Sequence, residues 1–121
     1  MPHPDPRKAP HPPSWPTGDK PPPGAPNILL ILFDDVGFSD FGCYGSPIDT
    51  PAIDALAARG LRYTSFHTTA MCSTTRAALL TGRNHHSVGM GCLANFDSGY
   101  PGYRGKISRE AGTLAEMLRP H

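Results

Sequence analysis

The chain has 121 residues, 38% of them hydrophobic, with 11 Lys and Arg against 10 Asp and Glu. One domain at most fits that length, and a formal charge of +1 without a basic stripe argues against nucleic acid or an anionic membrane as partner. Three cysteines without zinc-type spacing exclude a disulfide framework; with neither a secretory signal nor ~18 consecutive apolar residues, the expected location is the cytoplasm.

Eleven of the fifteen prolines lie in residues 1–26, which predicts a proline-rich tail, disordered or polyproline-II, ahead of a folded portion at 27–121. Ile28 to Phe33 are six apolar residues without alternation, the pattern of a parallel strand covered on both faces. Burying all six would be worth roughly 10 kcal/mol at ~1.5–3 kcal/mol each. Asp34 and Asp35 follow directly. Two carboxylates about 4 Å apart repel by ~4 kcal/mol at an effective dielectric near 20. The pair therefore predicts a bound cation, unless one carboxylate caps the next turn and the other is solvated. Neighbours on a strand point to opposite faces, so a shared ion needs a bend, for which Gly37 supplies the freedom. The carboxyl end of a parallel strand is also where open α/β sheets bind ligands.

Phe38 to Pro47 reads as a turn-rich loop. Thr50 and Pro51 then read as N-cap and first residue of a helix with an apolar face of Ile53, Leu56 and Ala57, a first-turn charge at Asp54 and a stop at Gly60. Leu61 to Thr68 predicts a second strand, with His67 packed within it. It leads into Met71-Cys72-Ser73-Thr74-Thr75-Arg76-Ala77-Ala78-Leu79-Leu80-Thr81-Gly82-Arg83. Cys72 stands at the foot of this helix and Arg76 one turn on, on the same face; Gly82 supplies a left-handed stop. A helix N-terminus suits an oxyanion, so the pattern sets a nucleophile-sized group beside an anion site.

His85 and His86 are adjacent and cannot share a helix face, which favours loop structure or a pocket rim over a two-histidine metal clip. Arg83 reads as a structural pairing residue, and Cys43 and Cys92 as small buried side chains. Ser87 to Lys106 is a glycine-rich irregular loop, and Thr113 to Glu116 has capping-box form ahead of a helix with Leu114, Met117 and Leu118 on one face.

Cys72-x-x-x-Arg76 followed by Ala77-Ala78-Leu79-Leu80-Thr81-Gly82-Arg83 resembles the signature of the formylglycine-dependent sulfatases, the arylsulfatase family. Pro26-Asn27, Asp34-Asp35-x-Gly37, Tyr44-Gly45, Thr50-Pro51, Leu56 and Gly60 resemble the opening of the same enzymes, so the likeness runs over about residues 26–119. It implies an α/β fold, here an N-terminal fragment of an alkaline-phosphatase-like sandwich with helices flanking a mainly parallel sheet. The implied activity is hydrolysis of small sulfate monoesters. A formylglycine-generating enzyme would oxidise Cys72 to an aldehyde (3-oxoalanine), whose hydrate attacks sulfur with one hydroxyl and releases sulfate through the other. Asp34, Asp35 and residue 72 would bind one divalent ion, Ca²⁺ being the expected species, and Arg76 would hold the hydrate and offset developing charge.

Thr74 stands where the family pattern has Pro or Ala, which predicts weaker recognition by the maturation enzyme. In sulfatases, further metal ligands and catalytic lysines and histidines lie beyond this signature. Two other readings therefore stand beside the first: a catalytically incomplete fragment, and a phosphonate monoester or phosphodiester hydrolase of the same superfamily.

Overall fold

A computed structural model describes residues 21–119. The first twenty residues of the expected tail lie outside that range; residues 21–26 form a turn in which the Ala25 N–H donates to the Pro22 carbonyl at 3.0 Å. Three α-helices follow: α1 Pro51–Arg59, α2 Cys72–Thr81 and α3 Leu114–Leu118. Each falls where the sequence pattern puts it. Gly82 ends α2 in the left-handed conformation at φ 63°, its N–H donating to the Ala78 carbonyl at 2.8 Å. The capping box of α3 forms as expected. Glu116 N donates to Thr113 Oγ1, and Thr113 N donates to Glu116 Oε2 at 2.7 Å, which holds the Glu116 carboxyl below its usual range.

Thr50 stands at the N-cap of α1 with Pro51 next, as expected, but without a side-chain cap bond. Its hydroxyl accepts from Gly42 N at 2.8 Å and donates to Asp54 Oδ1 at 3.0 Å, while the same carboxylate oxygen accepts from Cys43 N at 2.7 Å. Asp54 thus ties α1 to the short 3-10 turn Gly42–Tyr44 as well as sitting near the helix dipole.

The sheet is where expectation and structure part. Among the described residues no strand forms; the one bridge pairs Met90 with Tyr103, antiparallel. Ile28 is 91% exposed and Leu29 85%, and exposure falls only to 39% at Leu32. The physical reason is non-local. A strand has no hydrogen bonds of its own and needs a neighbour, and the other candidate segment, Leu61 to Thr68, is held instead at its start to the Gly42–Tyr44 turn. There Arg62 Nη1 donates to the Cys43 carbonyl at 2.6 Å and the Tyr44 hydroxyl donates to the Tyr63 carbonyl at 3.2 Å. His67, expected inside a strand, is exposed.

The core lies elsewhere. Ala77 of α2 packs with Val88, Met90 and Ala111, flanked by Ile107. Four of these five side chains come from segments outside the helices, and the segment expected to be irregular supplies Val88 and Met90 from a 3-10 turn, His85–Val88, and the bridge beyond it. Cys43 and Cys92, expected buried, are half-buried free thiols. No helix among the described residues is long and apolar enough to cross a membrane.

The uncovered Ile28–Phe33 run has a measurable consequence. The chain is expected to bind the dye ANS and to self-associate, and replacing Leu30 and Ile31 with Lys should lower dye binding and raise the soluble fraction. Unchanged dye fluorescence in the double variant would contradict the exposure seen here.

Candidate active site

Leu32 to Val36 and Thr68 to Cys72, with Thr75 and Arg76, line one open cleft of about 360 Å³. Asp34, Asp35, Cys72 and Arg76, the four site residues expected from the sequence, all lie on its walls. Cys72 occupies the first position of α2 and is exposed, so its thiol faces solvent at the end of the helix that carries the partial positive charge. Arg76 reaches across the cleft, with Nη2 3.3 Å from Asp34 Oδ1. This guanidinium supplies part of the countercharge that the acidic pair demands. Arg76 is partly and Asp34 mostly solvated, so the pair is worth ~0–1 kcal/mol and orients more than it stabilises.

The bend at the acidic pair is made by Asp35 itself, which takes φ 52° and is the sole non-glycine residue with positive φ among the described residues. Gly37, expected to supply that freedom, is extended at φ −84°. A left-handed aspartate is tolerated better than most residues because its short polar side chain can bond locally, and such conformations recur at functional sites. Neither Asp34 nor Asp35 caps the next turn: Gly37 N donates to Asp40 Oδ2 at 2.6 Å.

The start of α2 is fastened by a cluster of hydroxyls from Thr69, Thr74 and Thr75. Thr74 is 1% exposed, and its Oγ1 donates to the Met71 carbonyl at 2.8 Å and lies 2.5 Å from Thr69 Oγ1. Thr75 Oγ1 lies 2.7 Å from the same Thr69 hydroxyl. Two paired threonine runs, 68–69 and 74–75, were the signal available. The cleft wall so formed is hydroxyl-rich.

A family model described as Sulfatase matches residues 26–121. The chain belongs to the sulfatase family. Over 97 residues it is 47% identical to human arylsulfatase A, covering 77% of this chain and 18% of that protein. It is 43% identical over 101 residues to an uncharacterized sulfatase of Schizosaccharomyces pombe (78% and 18%), and 35% over 96 residues to the arylsulfatase of Klebsiella aerogenes (78% and 21%). This sulfatase-family chain thus spans about a fifth of the length of those relatives.

Whether the cleft suits a hard cation turns on its donors. Two carboxylates and several threonine hydroxyls are oxygen donors of the right kind. Their number is short: among the described residues no three His, Cys, Asp or Glu side chains converge to hold a metal. A shell of about six to eight oxygens would have to be completed from beyond this set. Among the described residues no histidine lines the cleft. His85 Nδ1 is 3.0 Å from the Met90 carbonyl and His86 Nε2 3.1 Å from the Tyr103 hydroxyl, so both serve loop structure, and neither lines the cleft. Arg83 has no ion-pair partner among the described residues.

The buried Thr74 sharpens the consequence of its departure from the family pattern. Proline is tolerated in the first turn of a helix, so Thr74→Pro is expected to fold while losing ~1–2 kcal/mol with the hydroxyl's two bonds. It should also raise the fraction of residue 72 converted to the aldehyde, read by peptide mass spectrometry after co-expression with a formylglycine-generating enzyme. Equal conversion in both forms would contradict the link between Thr74 and maturation.

Proposed function

We propose that this chain carries the nucleophile side of a sulfate monoester hydrolase, with residue 72 acting after its oxidation to formylglycine. The observation that carries the reading is the convergence of Asp34, Asp35, Cys72 and Arg76 on one cleft, with the Arg76–Asp34 contact spanning 42 residues of sequence. The formylglycine hydrate would supply two hydroxyls: one attacks sulfur and expels the alcohol of the ester, and the other loses its proton and collapses to the aldehyde, breaking the C–O bond that frees sulfate. Cys72 is solvent-exposed, so a maturation enzyme and a substrate can both reach position 72. The unpaired N–H groups at the start of α2 and the Arg76 guanidinium favour a bound sulfate dianion and the charge that builds on its oxygens. Asp34 and Asp35 would hold a divalent ion, Ca²⁺ by donor type, which would polarise the ester.

The test is a hybrid in which residues 26–121 replace the matching segment of a complete arylsulfatase. Hydrolysis of a chromogenic aryl sulfate by the folded hybrid supports the reading, and a folded hybrid that converts residue 72 but leaves the ester intact overturns it.

A second reading concerns the chain alone. Two carboxylates cannot by themselves fill a Ca²⁺ shell, and the Ile28–Phe33 run is uncovered, so the purified 121-residue chain is expected to show no turnover of the same ester. Measurable turnover would remove this second reading. The alkaline-phosphatase-like sheet belongs to the same proposal: Ile28–Phe33 would become a covered strand once paired with further strands of the domain.

A further inference from the structure

A second hollow, of about 490 Å³, is lined by Gly89, Pro101, Arg104, Lys106, Ile107, Ser108 and Arg109. It shares no residue with the Cys72 cleft. Every charged side chain on its wall is cationic, and the one hydroxyl, on Ser108, accepts from Glu110 N at 3.3 Å, leaving its proton free to donate. Of the three cations, Arg104 is partly neutralised, its Nε donating to Asp97 Oδ1 at 3.0 Å. Lys106 and Arg109 are in no ion pair among the described residues, although Lys106 lies near enough to Asp97 to help Gly99 N and Arg104 hold that carboxyl below its usual range.

The loop that carries these side chains is held at fixed points. Arg104 N donates to the Gly89 carbonyl at 2.7 Å and Ser108 N to the Val88 carbonyl at 2.9 Å, while Ile107 packs on the core between them. Gly105 is buried at φ 62°, and a Cβ there would sit 2.6 Å from the Phe96 carbonyl oxygen. Asp97 is bound by Gly99 N at 2.8 Å as well as by Arg104, which restrains the guanidinium. Cations borne on such an anchored loop are partly organised before a ligand arrives, which reduces the ordering cost of binding.

We propose that this hollow is a binding site for a doubly charged tetrahedral oxyanion, gripped by Lys106, Arg109 and Arg104, with the Ser108 hydroxyl as a neutral donor. Planar guanidinium forks and an ammonium group suit such an anion. The site is separate from the hydrolytic reading and stands whether or not residue 72 is converted.

The experiment is an amide-resolved NMR titration of the full chain with sodium sulfate and, separately, sodium phosphate, each against sodium chloride at matched ionic strength. Saturable shifts at Gly89 and at residues 104–109 with sulfate or phosphate, and not with chloride, are expected. The tighter of the two identifies the anion. In Lys106→Gln/Arg109→Gln the affinity should fall by at least roughly tenfold, as loss of charge-assisted contacts implies. Arg76→Ala should leave these shifts in place. Shifts that chloride reproduces, that do not saturate, or that persist unchanged in the double variant would overturn the proposal.

Discussion

Cys72→Ser, placed in the arylsulfatase hybrid, is expected to lower steady-state hydrolysis by roughly 10⁴-fold or more, the scale of losing a covalent nucleophile. Position 72 opens α2 and is exposed in the cleft, so a serine hydroxyl there stands in the same place as the thiol. A serine can form a sulfate ester but lacks the second hydroxyl through which the hydrate would expel sulfate. Mass spectrometry should therefore find sulfate retained on residue 72 of the serine variant and none on Cys72→Ala. An aminooxy probe should label the parent at residue 72 and neither variant. Hydrolysis surviving in Cys72→Ala would place the nucleophile elsewhere.

Arg76→Ala is expected to reduce kcat by about 10²–10³ in the same hybrid, the range seen when one electrostatic stabiliser is removed from a site of developing charge. Its effect on stability should be under ~1 kcal/mol, because the contact with Asp34 is solvent-exposed. That contrast separates a chemical role from a structural one. Arg76→Lys keeps the charge without the planar fork and should recover only part of the rate. A large loss of stability with kcat unchanged would mean that the guanidinium serves folding alone.

The helices were legible in the sequence and the sheet was not, for one physical reason. A helix closes its hydrogen bonds within a few residues, so Pro51, Gly82 and the Thr113–Glu116 box could announce α1, α2 and α3 locally. Ile28–Phe33 can become a strand only when another segment lies alongside, and nothing in those six residues says which. The core was missed because Val88 and Met90 sit among glycines; their burial comes from backbone bonds such as Gly91 N to the Gly102 carbonyl at 2.7 Å, a pairing with no periodic signature.

The site divides along the same line. Cys72 and Arg76 are one helical turn apart, so their shared face followed from spacing. The Arg76–Asp34 contact joins residues 42 positions apart and needed coordinates. The bend at Asp35 was assigned to Gly37 because glycine is the usual bearer of positive φ; the aspartate took that conformation instead. Of the threonines around the α2 start only Thr74 stood out in the sequence, as a departure from the family pattern; the hydroxyl cluster it forms with Thr69 and Thr75 follows from burial and mutual distances.

The measurement closest to the central claim is a Ca²⁺ titration of the full chain followed by amide-resolved NMR, since it asks without recourse to turnover whether the acidic pair and the α2 start share one ion. The account predicts that amides of residues 34–36 and 72–76 shift together, with weak affinity on the order of 1 mM for so few ligands, and that Asp34→Asn/Asp35→Asn removes both sets of shifts. Ca²⁺ shifts confined to other segments, or shifts at residues 34–36 with the start of α2 unmoved, would contradict it.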